Sequence, residues 1–148
     1  MSPEEARGRF GQARVARLAT AGADGRPHLV PIVFALGVAT ALAGRSSGDV
    51  IYSVVDDKPK RTTALRRLAN VSDNPAVSAL VDHYEEDWDR LWWVCADGRG
   101  RLLTDRDEPE AAAAVALLRA RYPQQRAIGT VLAVDVERWT GWAASPDV

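Results

Sequence analysis

The chain has 148 residues, 47% of them hydrophobic, and a formal net charge of -1 from 19 basic and 20 acidic side chains. That is the length of one domain, 1–148, with enough apolar residues for its own core, and the near-neutral balance excludes a general nucleic-acid binder, which carries a domain-wide basic surplus. No apolar run reaches the roughly 20 residues of a membrane helix, the opening Met-Ser-Pro-Glu-Glu does not read as a signal peptide, and the single cysteine has no internal partner, so a cytoplasmic protein without a membrane partner is expected.

In chain order, Ser2-Pro3-Glu4-Glu5 supplies a serine cap, a proline at the first helical position and an acid beyond it, predicting a helix to about Gln12 or Ala13. Val15 to Thr20 reads as a first strand. The turn residues Ala23-Asp24-Gly25-Arg26 lead into a second, His28 to Leu36, in which Pro31 requires an edge or a bulge. Gly44 to Asp49 is a loop, and the apolar run Val50 to Val55 is a third strand, buried on both faces. Pro59 to Asn70 has helical spacing, with Leu65 and Leu68 expected inward and Arg66 and Arg67 outward. Val77 to Tyr84 and Leu91 to Leu103 read as the fourth and fifth strands. Cys95 is expected in the core of the fifth rather than as a nucleophile. Asp107-Glu108-Pro109-Glu110 caps a helix from Glu110 to Arg121, and Val131 to Trp142 is a sixth strand. Six strands with few helices between them suit an antiparallel barrel better than a parallel sheet, which needs a crossover helix after nearly every strand.

The basic residues are segregated. Between Lys58 and Arg67 lie five cations and no acid, which leaves about -6 on the rest of the chain, and Lys58 and Lys60 are its only lysines. A compact ammonium beside a helix N-terminus suits a phosphate, whereas the competing reading is a solvated helix start with Asp57 paired to Lys60 or Arg61. Other chemistries lack their residues. There are two histidines, no Gly-x-Ser-x-Gly elbow, no zinc spacing, no Gly-rich dinucleotide fingerprint and no phosphate loop ending in Gly-Lys-Ser. Trp88, Trp92 and Trp93 suit either a buried contact or the wall of a flat aromatic ligand.

The segments Ala16-Arg17-Leu18-Ala19-Thr20, Asp24-Gly25-Arg26-Pro27-His28, Asp57-Lys58-Pro59-Lys60, Arg66-Arg67-Leu68-Ala69-Asn70, Asn74-Pro75 and Asp87-Trp88 with Leu91-Trp92-Trp93-Val94 together resemble a known group. It is the deazaflavin-dependent enzymes within the pyridoxamine-phosphate-oxidase-like flavoproteins, and the resemblance runs from about Val15 to Trp142. It implies a mainly β, α+β fold: a six-stranded antiparallel split β-barrel of the FMN-binding type with peripheral helices. It further implies a homodimer with cofactor sites at the subunit interface. By position, Lys58, Lys60 and Arg61 match a phosphate-binding loop, with Thr62 and Thr63 as hydroxyl donors. Tyr52, Ser53 and Val54 are expected along the cofactor ring, and Trp88 and Trp92 are further candidates. The implied activity is hydride transfer between reduced coenzyme F420 and a small organic acceptor. FMN in place of F420, or a non-catalytic cofactor carrier, are the alternatives. The sequence ends without the arginine- and histidine-bearing tail that holds pyridoxal substrates, so vitamin oxidation is not expected.

Overall fold

The computed structural model describes residues 1–38, 48–55, 62–126 and 129–146, with the side chains of residues 62–64 excepted. Helix α1 (Pro3–Gln12) precedes β1 (Ala16–Ala21), β2 (Pro27–Ile32), β3 (Ala35–Val38) and β4 (Asp49–Val55). Helix α2 (Thr62–Asp73), β5 (Ala76–His83), a single 3-10 turn (Trp88–Arg90), β6 (Trp92–Leu103), α3 (Pro109–Arg121) and β7 (Thr130–Ala143) follow. The strands form one antiparallel sheet in the order β2-β1-β5-β6-β7-β4-β3.

The count is seven strands, not six, because the stretch expected to be one strand from His28 to Leu36 divides. Residues Pro27–Ile32 pair with β1, whereas Ala35–Val38 pair with β4. The two halves are therefore opposite edges of the sheet, joined by only Val33 and Phe34. So short a link spans about 10 Å at most, and the sheet must roll until its edges are neighbours. No ladder joins β2 to β3 among the described residues, so the barrel is split rather than closed. Pro31 lies on the edge strand β2, where its missing donor costs no ladder bond.

Helices close both mouths of the roll. At one, α1 inserts Ala6 and fully buried Phe10, whose ring meets Phe34 at 4.9 Å and Trp139 at 5.2 Å between centroids. Ser2 caps α1 through the Glu5 N–H at 3.1 Å, as its sequence predicts. Burying a side chain such as Phe10 contributes about 1.5–3 kcal/mol, so this plug is a main source of stability. At the other mouth α2 packs Leu68 and Val71 onto the same core. A Cβ on Gly100 of β6 would lie 2.9 Å from Val71 Cγ1, so only glycine permits this approach.

Helix α3 covers the outside of β4 and β7. Val50, Tyr52 and Val54 join Ala111, Ala114, Val115 and Leu118 in a second core, whereas Ile51 and Val55 face the barrel interior. Both faces of β4 are thus enclosed, as its unbroken apolar run predicts. One charged network lies within this layer. Glu110, 1% exposed, takes Arg101 Nη1 at 2.8 Å and Nη2 at 2.5 Å, and Arg101 also donates to Asp135 at 2.7 and 3.0 Å. A buried carboxylate is tolerated only when paired in this way. The α3 start differs from expectation in one respect: Glu108 stands at the cap without a side-chain hydrogen bond.

Two further expectations change. Leu65 is 53% exposed, whereas Arg67 is half-buried, so α2 is rotated from the orientation expected. Positions 67, 68, 70 and 71 form its packed face. Cys95 is half-buried on the outer face of β6, while its neighbours Val94 and Ala96 point into the core. Burial, and then Asp97 beside it, push its thiol pKa up, so it is not a poised nucleophile.

Candidate functional site

The mouth closed by α2 gathers the end of β1, the start of β2 and the end of β4. Thr20 and Asn70 fix the geometry: Asn70 Nδ2 donates to Thr20 Oγ1 at 3.1 Å, with both side chains buried. A Cβ on Gly22 would lie 2.7 Å from Asn70 Oδ1, so any larger residue there would displace the Asn70 side chain. His28 is the register partner of Thr20 on β2, and its alternation with Val30 and Ile32 puts it on the inward side. Arg67 lies one helical turn before Asn70 on the same face of α2.

Arg66, Arg67 and His28 bring cationic side chains to this mouth, and the Asp24 carboxylate stands near Gly22 at its rim. Arg67 Nε and His28 Nδ1 are both buried and have no hydrogen-bond partner. No ion pair to Arg66 or Arg67 occurs among the described residues. Burial depresses the Arg67 pKa, and burial followed by the charges of Arg66 and Arg67 depresses that of His28. Buried polar groups are normally satisfied, and an isolated buried cation is costly. A bound anion would relieve both conditions, which makes this mouth the best candidate site on the described surface.

The residues singled out in the sequence distribute unevenly around it. Lys58, Lys60 and Arg61 lie outside the described residues. Thr62 and Thr63 open α2, with side chains outside the described set. Ser53 faces the barrel side and donates to Val33 O at 3.0 Å. Tyr52 and Val54 point the opposite way, under α3, so their side chains do not line a ligand surface with Ser53: strand alternation separates them. Past Tyr52 the ladder from β4 to β3 stops while that to β7 continues to Val55, so this end of β4 is an edge. Trp88 is 75% exposed on the 3-10 turn. Trp92 is partly buried, 5.3 Å from the Arg9 guanidinium and stacked on His83 at 6.3 Å. Neither tryptophan touches the residues at the α2 mouth. Sequence reasoning put Arg67 in solvent; the available signal was the cation run continuing into α2 without an intervening acid.

A cleft of about 600 Å³ opens elsewhere, on the outer face of β5, β6 and β7, its lining including Leu80, Asp82, Trp93, Cys95, Asp97 and Arg138. Asp97 is the hub of its polar contacts. Asp97 accepts from Ser78 Oγ at 2.5 Å and Arg138 Nη2 at 2.9 Å, contacts that hold its carboxyl below the usual range. The neighbouring Leu80, Tyr84 and Trp142 are exposed, which marks a surface suited to a partner rather than a site with unmet polar demand. No group of three or more metal-ligating side chains occurs among the described residues, and none of their helices is long and apolar enough to cross a membrane.

The family model for pyridoxamine 5'-phosphate oxidase matches residues 2–143. No curated protein matches. Among solved structures, a conserved hypothetical protein of Mycobacterium tuberculosis is similar at 23% identity and a TM-score of 0.70, over 97% of this chain and 86% of that one. An FAD-binding protein from Mesorhizobium loti is similar at 23% identity and a TM-score of 0.66, over 95% and 92%. The heme storage protein HutZ of Vibrio cholerae is similar at 18% identity and a TM-score of 0.62, over 97% and 95%. At these identities the structural likeness concerns the fold.

Proposed function

Because the chain belongs to the pyridoxamine 5'-phosphate oxidase family, we propose that it is an oxidoreductase that binds a flavin-type nucleotide by its anionic tail and moves a hydride between that cofactor and a small organic substrate. The observation that carries this reading is the pair of buried, partnerless nitrogens on Arg67 and His28. Arg66 and Arg67 hold the phosphate, and the open end of β4 beyond Tyr52 offers backbone groups to the ring. The cofactor, when bound, supplies the hydride chemistry; the chain supplies binding, orientation and exclusion of water. The active form is a homodimer, whose interface is the exposed apolar face around Leu80, Tyr84 and Trp142.

Coenzyme F420 is the cofactor we propose, on the resemblance carried by Asp57-Lys58-Pro59-Lys60 and Asp87-Trp88. Its phosphodiester and glutamate tail spread negative charge along the cation run from Lys58 to Arg67 farther than one terminal phosphate does. FMN is the second reading, favoured by the similarity to an FAD-binding protein. Fluorescence titration of the apo chain with each cofactor decides between them. F420 is expected to bind at least about tenfold tighter at low salt, the worth of one added charge-assisted contact, and salt should erode the difference. Tighter FMN binding replaces the cofactor assignment, binding without turnover of an acceptor panel makes the chain a carrier, and failure of both to bind removes the proposal.

A further inference from the structure

At the α2 mouth His28 presents a buried, partnerless ring nitrogen to a site whose positive charge comes from Arg66 and Arg67. Its surroundings are fully specified on the described elements that meet it. From β1 it faces Thr20, whose hydroxyl is taken by Asn70. From α2 it feels the charges of Arg66 and Arg67, and no carboxylate among the described residues contributes. Asp24, in the β1–β2 turn, is occupied by the Arg26 N–H at 3.0 Å. The buried Nδ1 therefore lacks an acceptor if protonated and a donor if not.

We infer that His28 is a positioning and pH-sensing member of the anion site: a dianion seated against Arg66 and Arg67 accepts a hydrogen bond from the imidazole and draws a proton onto it from solvent. In the free site burial, and then the two guanidinium charges, depress the ring's pKa. An added dianion cancels that repulsion and gives the buried nitrogen its missing partner, so the protonated ring becomes the stable form. Linkage then requires that protons and the anion strengthen each other's binding, and affinity falls as pH rises through the interval between the free and bound pKa values. The inference rests on the anion site proposed above but not on the identity of the cofactor.

Sulfate is the appropriate probe, because it does not titrate between pH 5.5 and 8.0. Its affinity, measured by calorimetry, is expected to fall about tenfold over that range in the unmodified chain, the equivalent of a one-unit pKa change. In His28→Gln, which keeps a donor but cannot titrate, affinity should vary by less than about twofold. NMR of the unmodified chain provides a readout independent of whether the variant folds. With only two histidines to assign, the His28 imidazole pKa should rise by about one unit at saturating sulfate. A pH dependence that survives in His28→Gln, or a His28 pKa indifferent to sulfate, overturns the inference. A normal sulfate response in a chain that binds neither F420 nor FMN removes the proposed function and upholds the role of His28, and cofactor binding without the sulfate response does the reverse.

Discussion

The Tyr52 hydroxyl donates to Glu110 Oε1 at 3.1 Å, and this contact commits the aromatic residue at the centre of β4 to the helix outside the barrel. Burial, and then the Glu110 charge, push the phenol pKa up, so the donor stays protonated at every physiological pH. Tyr52→Phe should therefore destabilise the fold by about 1.5 kcal/mol, the net worth of a hydrogen bond to a charged group, and leave cofactor affinity within about twofold. Chemical denaturation and cofactor titration of the variant check both halves. A large loss of affinity with unchanged stability would return Tyr52 to the ligand site.

Glu110 and Arg101 extend that contact into a buried pair, and removing one partner leaves the other charge unpaired in the core. Arg101→Met should cost about 3–5 kcal/mol. The Arg101 hydrogen bonds hold the Glu110 carboxyl below the usual range. Since the folded pKa is depressed, this stabilisation is fully present above the unfolded value of about 4.3 and is lost as pH falls through the folded value. Denaturation measured from pH 7 to pH 2.5 should show that loss in the unmodified chain, and Glu110→Gln should lack that component.

Arg67 gives the opposite sign. Its guanidinium is half-buried without an acid partner, so Arg67→Met removes a cost and should leave the melting temperature unchanged or higher. Sulfate and cofactor affinity should fall by about 10- to 100-fold, the loss of one charge-assisted contact. A marked drop in melting temperature with affinity preserved would make Arg67 a structural residue.

The outer face of β5, β6 and β7 exposes Leu80, Tyr84 and Trp142 around a wide cleft. We expect a homodimer through this face with well over about 2,000 Å² buried in total, and Leu80→Glu should shift it toward monomer in light scattering. A stable monomer of the unmodified chain at micromolar concentration rules it out.

Local pattern in the sequence was enough to find the helices and nearly all the strands, because side-chain periodicity and turn residues act over a few positions. The edge placement of Pro31, the cap at Ser2 and the double-sided burial of β4 follow from the chemistry of those residues alone. What periodicity cannot state is which covered face belongs to which layer. Nothing in the apolar run around Val33 and Phe34 announces that the chain changes sheet edges there; the break arises because β2 and β3 pair with strands at opposite ends of the order. Alternation likewise guarantees that Tyr52 and Ser53 point apart, but only packing under α3 decides which of them meets the barrel. The same holds at the α2 mouth. Charged residues on a helix are read as solvent-facing because burying a cation alone is unfavourable, and that rule puts Arg67 outside. The tertiary structure turns it inward on the His28 side, since Leu68 and Val71 claim the core and fix the helix's rotation, leaving two buried nitrogens without a hydrogen-bond partner.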